Sequence, residues 1–192
     1  MIETRYFTTE ELLNISHYQV GNKQARYFPN KTCEQFHQGE EEKSHVLDAR
    51  ILSMLMLSFG SMSSRKLQKL CYYMYSWYLG INGKPVADVQ FEAWVHGPVS
   101  RRIYLLYQRY GWENIPSHKV FLPVSDDVIA FAERVWGFYS HYTEEQLELM
   151  SRQELPWQKA RIGCREYDPS DKLLADEDII YFFSGKYDCH SK

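Results

Sequence analysis

The stretch Lys66-Leu67-Gln68-Lys69-Leu70-Cys71-Tyr72-Tyr73, running on to Trp77-Tyr78-Leu79, decides the fold. On a helix predicted over about residues 64–79, Leu67, Leu70, Cys71, Met74, Trp77 and Tyr78 fall on one face as an amphipathic stripe. Ser63 or Ser64 supplies an N-cap, and Asn82-Gly83-Lys84-Pro85 is a turn signal. Arg65, Lys66 and Lys69 cluster near the helix start, where the helix dipole disfavours cations. Their placement therefore calls for solvent, an acidic partner or a neighbouring carboxylate.

Working downstream, Phe91-Glu92-Ala93-Trp94-Val95 alternates as a short strand. His96-Gly97-Pro98-Val99 follows and reads as a strand-to-helix junction, with Pro98 in the first turn of a helix that carries Val99, Ile103, Leu106 and Tyr110 inward. Residues 119–122 read as the second short strand. Upstream, Val46, Ala49, Leu52, Met56 and Phe59 recur at helical spacing, with Gly60 as the stop. Further helices are expected from Asp126, from the capping box Thr143-Glu144-Glu145-Gln146, and over about 176–183, with Glu154-Leu155-Pro156-Trp157 breaking the chain between the last two. The expected fold is mainly α: a single-domain helical bundle of about six to seven helices with a short two-stranded β element around residues 91–95 and 119–122.

The composition is that of an ordinary globular protein, 44% hydrophobic and 24% charged, with an unusual 16% of aromatic residues. A net charge of -3 argues against a nucleic-acid or anionic-membrane partner. The longest apolar run, Ile51 to Leu57, contains Ser53 and is far short of a membrane span. With no signal-peptide pattern at Met1-Ile2-Glu3-Thr4-Arg5 and four scattered cysteines, a cytoplasmic location with reduced thiols is expected.

Chemistry finds few footholds. Cys33 and His37 have ligand-like spacing, and Cys189-His190 lies near the other terminus, but paired ligands on both arms are absent, so no metal is expected. His96, with Glu92 four residues earlier, can be drawn as a general base and its orienter, the sole basis for a metal-dependent or acid–base hydrolase. No nucleophile elbow, zincin motif or Gly-rich phosphate loop accompanies it, and no catalytic residue or cofactor is expected.

The first block, together with Glu92-Ala93-Trp94-Val95-His96-Gly97-Pro98-Val99 and Glu154-Leu155-Pro156-Trp157 with Ala160-Arg161, resembles the Panacea domain of SocA-like antitoxins. The resemblance implies an antitoxin, in some members of prophage origin, that neutralises a cognate toxin by direct binding. In one branch it implies an adaptor that hands the toxin to an AAA+ protease. Partition of the chain follows: residues 1–43 as an N-terminal extension, 44–186 as the Panacea-like domain and 187–192 as a tail. Within the blocks, Leu67, Gln68, Leu70, Trp77, Glu92, Trp94, His96, Gly97, Pro98, Pro156 and Trp157 are expected to be mainly architectural. Lys66, Lys69, Tyr73, Arg101 and Arg102 lie off the core-facing positions and are the expected partner contacts.

Overall fold

The computed structural model describes residues 46–117 and 122–188. Among these are seven α-helices and one two-stranded antiparallel sheet. Helix α1, Ala49–Leu57, begins where the Asp48 carboxylate accepts the Ile51 N–H at 2.7 Å. It starts later than its periodicity suggests. Val46 is exposed, and Leu47 is drawn into a parallel bridge with Ala87 instead. After α1 the chain passes close to α4, Asp126–Tyr139. A Cβ on Gly60 would lie 2.9 Å from the Trp136 ring, so a larger residue would require that ring to shift.

Helix α2, Ser64–Asn82, is the axis of the molecule. Ser63 caps it, and Gly83, at φ 63°, closes it with an N–H donated to the Leu79 carbonyl. The predicted stripe is buried except for the half-buried Tyr78, and so is nearly everything else on the helix: Gln68, Lys69, Tyr72, Tyr73, Tyr75 and Ser76 are all in the interior. A helix enclosed all round must satisfy its polar groups internally. The stacked pair Tyr73–Tyr139, with centroids 3.9 Å apart, joins α2 to α4. Helix α7, Asp176–Asp188, crosses α2 at Gly80, whose hydrogen lies where a Cβ would meet Phe183 Cβ at 2.6 Å.

Helix α5, Glu144–Arg152, forms as the capping box predicts, and the expected break at Pro156 proves to open a further short helix, α6, Leu155–Ala160. Helix α3, Arg101–Tyr107, runs into a 3-10 turn and ends at Gly111.

The sheet corrects the sequence reading. Strand β1, Glu92–Trp94, pairs not with residues 119–122 but with β2, Gly97–Val99, across the two-residue turn Val95-His96. Residues 118–121 lie outside the described part of the chain. Gly97 takes φ 90°, a conformation open to glycine. Pro98 is thus a strand residue and not the first turn of α3. It stands opposite Ala93, whose own N–H is donated to the Lys172 carbonyl on the other edge of β1, so the missing proline N–H removes no ladder bond.

Candidate functional site

The three sequence blocks meet at the hairpin. From α2, the Gln68 side-chain amide donates to the Ser100 carbonyl at 3.1 Å and accepts the Ser100 N–H at 2.9 Å, acting as a piece of backbone beside the end of β2. Lys69 Nζ donates to the Pro98 carbonyl at 3.0 Å. From α6, the Trp157 indole N–H donates to the Trp94 carbonyl at 2.9 Å. The buried Arg161 guanidinium donates to the Ala93 carbonyl and to the carbonyls of Arg165, Glu166 and Asp168, tying down the following loop. Glu154, also buried, accepts the Tyr72 hydroxyl at 3.0 Å. One block holds β2 and another holds β1.

What the clamp leaves outside is the tip. Trp94 and Val95 are half-buried and His96 is exposed. Clefts lie on both sides of it and share Trp94 and His96. One, about 370 Å³, is walled by Trp94, Val99, Ile103, Tyr104, Tyr107 and Trp112, with Arg65, Gln68, Lys69, Glu144 and Glu148 at its polar end. The other, about 750 Å³, opens between the tip, Arg101 and residues Tyr167, Pro169, Ser170 and Asp171. Trp112, on the rim of the first, is 87% exposed.

At the polar end, Glu148 is the hub. Arg65 lies 3.0 Å from it, His96 Nδ1 2.9 Å and Arg152 3.7 Å. Burial works to raise the Glu148 carboxyl, but hydrogen bonding and charge from His96, then Arg65 and Lys69, hold it below its ordinary value. Glu144 meets Arg65 and the Ser63 hydroxyl. These are the carboxylates that answer the cations at the start of α2.

The predicted residues sort clearly. Lys69 and Tyr73, expected at the surface, are core residues at 4% and 0% exposure, although Lys69 still lines the first cleft. Lys66 is half-buried with Nζ on the Ser140 carbonyl. Arg101 and Arg102 are exposed; Arg102 pairs with Asp88, and Arg101 takes the Glu92 carboxylate through two nitrogens. Glu92 also accepts the Trp94 indole N–H. Burial raises the Glu92 carboxyl, yet those hydrogen bonds and the Arg101 charge bring it below its usual value. Glu92 is therefore occupied by Arg101 while His96 is engaged by Glu148, and the base-and-orienter pair drawn from their spacing does not form. Leu67, Leu70, Trp77, Pro98, Pro156 and Trp157 are buried frame residues. Cys33, His37, Cys189 and His190 lie outside the described residues, and among those described no group of three or more His, Cys, Asp or Glu side chains is placed to hold a metal.

Glu144, Glu148, Tyr104, Tyr107 and Trp112 escaped the sequence reading. Only Trp112, a lone indole just after the helix-ending Gly111 in a polar loop, carried a local signal. The carboxylates become visible once α5 is seen to return beside the start of α2.

Burial lowers Lys69 to about 7 against an ordinary 10.5, with Arg65 adding to the effect and Glu148 opposing it. Between those values the unfolded chain binds the extra proton, so stability rises as pH climbs above 7 and is insensitive to this group below it. Cys71, whose thiol burial pushes up from 9.0, offsets that gain once the unfolded thiol ionises. The buried phenols of Tyr72, Tyr73 and Tyr139, raised by burial and the Glu154 charge, lower stability further above 10.0. Urea unfolding from pH 7 to 9 should show stability gaining with a slope approaching about 1.4 kcal/mol per pH unit from Lys69. The Lys69→Met variant should lose that slope.

Residues 67–158 match the family model described as antitoxin SocA-like, Panacea domain. The match takes in α2 from Leu67 onward, the hairpin and the Pro156-Trp157 turn, and bears out the resemblance over that stretch. Arg161 and α7 lie beyond it. No curated protein and no solved structure matches the chain.

Proposed function

We propose, on the premise that residues 67–158 form an antitoxin SocA-like, Panacea domain, that the protein neutralises a toxic partner protein by direct binding through the hairpin tip and the aromatic cleft beside it. The observation that carries this reading is the division within the sequence blocks. Gln68, Lys69, Trp157 and Arg161 hold the hairpin, Leu67, Leu70 and Trp77 are buried in the core, and the tip is raised between two clefts with Trp112 bare at the rim. Exposed aromatic anchors over a preformed cleft are the residues that dominate protein–protein affinity. A rigid hairpin spares the ordering entropy that a loop would lose on binding.

Arg101, which lines the second cleft, is proposed as a rim contact. Lys66 and Arg102, already engaged with Ser140 and Asp88, are proposed as peripheral ones. The acidic balance of the chain favours encounter with a basic partner. No described helix is long and apolar enough to cross a membrane, and the cytoplasm is the proposed place of action.

The test is co-expression with the product of the adjacent reading frame. Growth arrest by that product alone and rescue by this chain is the expected result. A harmless neighbour, or arrest that this chain does not relieve, contradicts the reading.

A further inference from the structure

Lys69 has a second property that partner binding does not use. Its amine is buried, and the residue lines the 370 Å³ cleft, beside Trp94, Ile103, Tyr104 and Tyr107. Nζ reaches the Pro98 carbonyl at 3.0 Å and lies 3.1 Å from the place a Gly97 Cβ would take, so glycine at that position leaves room around the nitrogen. The charged groups around it are Arg65 on its own helix, Glu144 and Glu148 on α5, and His96 on the hairpin. Lys66, Lys84, Lys159 and Lys172 are half-buried or exposed.

We propose that Lys69 is a covalent modification site, acylated by small acyl thioesters that enter through the aromatic cleft. The cleft is of the size that admits a small ligand, and its walls are mostly apolar. The amine it offers is largely neutral near pH 7 because burial disfavours the ammonium, whereas an amine in water is almost wholly protonated there. A desolvated lysine in an apolar pocket is an activated nucleophile.

In the reaction the nitrogen lone pair adds to the thioester carbonyl carbon and the C–S bond breaks. The thiolate leaves and takes up the proton that the nitrogen loses, giving an amide and a free thiol with no change of oxidation state. The amide keeps one N–H for the Pro98 carbonyl, and the acyl group fills space in the cleft.

The test uses the full folded chain, S-acetyl-N-acetylcysteamine as the acyl donor and residue-resolved mass spectrometry. At about pH 7.5, Lys69 should be acetylated at least about tenfold faster than Lys66, Lys84, Lys159 or Lys172. Its rate should level off above about pH 7, following the fraction of free amine, while the other lysines keep accelerating. The preference should vanish in urea. A Lys69 rate at or below that of the exposed lysines in the folded chain overturns the proposal, as does a Lys69 rate still climbing tenfold per pH unit at about pH 9. Because the readout is a mass on one residue, its outcome is independent of whether a toxin binds.

Discussion

The Trp77→Ala variant should lose about 3–5 kcal/mol of stability, a fall of roughly 10–15 °C in melting temperature for a domain of this size. Trp77 sits at the crossing of three helices. Its ring meets Phe183 of α7 edge-on with centroids 4.9 Å apart, and its indole N–H donates to the Tyr139 hydroxyl of α4 at 2.8 Å. Truncation opens a cavity at the axis of the molecule and removes the donor to a buried phenol. Relaxation is limited because Gly80, three residues on, already brings α7 as close as backbones allow. Trp77→Phe should recover part of the loss by restoring the aromatic contact without the hydrogen bond. Thermal unfolding by circular dichroism measures both, and a Trp77→Ala change of under about 1 kcal/mol would mean that α7 does not pack as described.

Gln68→Leu tests the clamp. Leucine preserves most of the buried volume, so the change isolates two hydrogen bonds, those to the Ser100 N–H and carbonyl. The Ser100 N–H is then left in the interior without its partner, which costs about 1–3 kcal/mol, while the Ser100 carbonyl keeps the Tyr104 N–H. The expected loss is about 1–3 kcal/mol. It should be accompanied by faster hydrogen exchange at the Ser100 amide and at the start of α3. Equal exchange in the two proteins would show that Gln68 does not hold the hairpin.

These two residues also mark what the sequence could and could not convey. Trp77 belongs to a stripe at helical spacing, so its inward direction was legible, as were the caps at Ser63 and Thr143 and the break at Pro156. Gln68 and Lys69 occupy positions beside that stripe where polar residues usually meet water. Their true partners, Ser100 and Pro98, lie 32 and 29 residues away, and local periodicity carries no trace of them. Tyr73 misled for a related reason: a polar tip suggests a surface, but its ring is stacked on Tyr139.

The hairpin was misread because Gly97-Pro98 fits a helix start as well as a strand, and Val95-His96 lacks the Asn-Gly signature of a two-residue turn. The pairing of Glu92 with His96 followed from spacing on one strand. The strand alternation in fact sends Glu92 to Arg101, and the turn sends His96 to Glu148. What remained invisible is the site itself, because its walls come from α2, α3, α5 and the loop after Gly111, and only the folded chain gathers them.

The central claim is that the cleft beside the hairpin tip is where the partner docks. It is tested most directly by titrating the purified product of the adjacent reading frame with the wild-type chain and with Trp112→Ala. With Trp112 87% exposed, the variant should keep the wild-type melting temperature. It should bind at least about tenfold more weakly, the loss expected on removing a rim aromatic that anchors an interface. Equal affinity for the two proteins would contradict the assignment of this cleft.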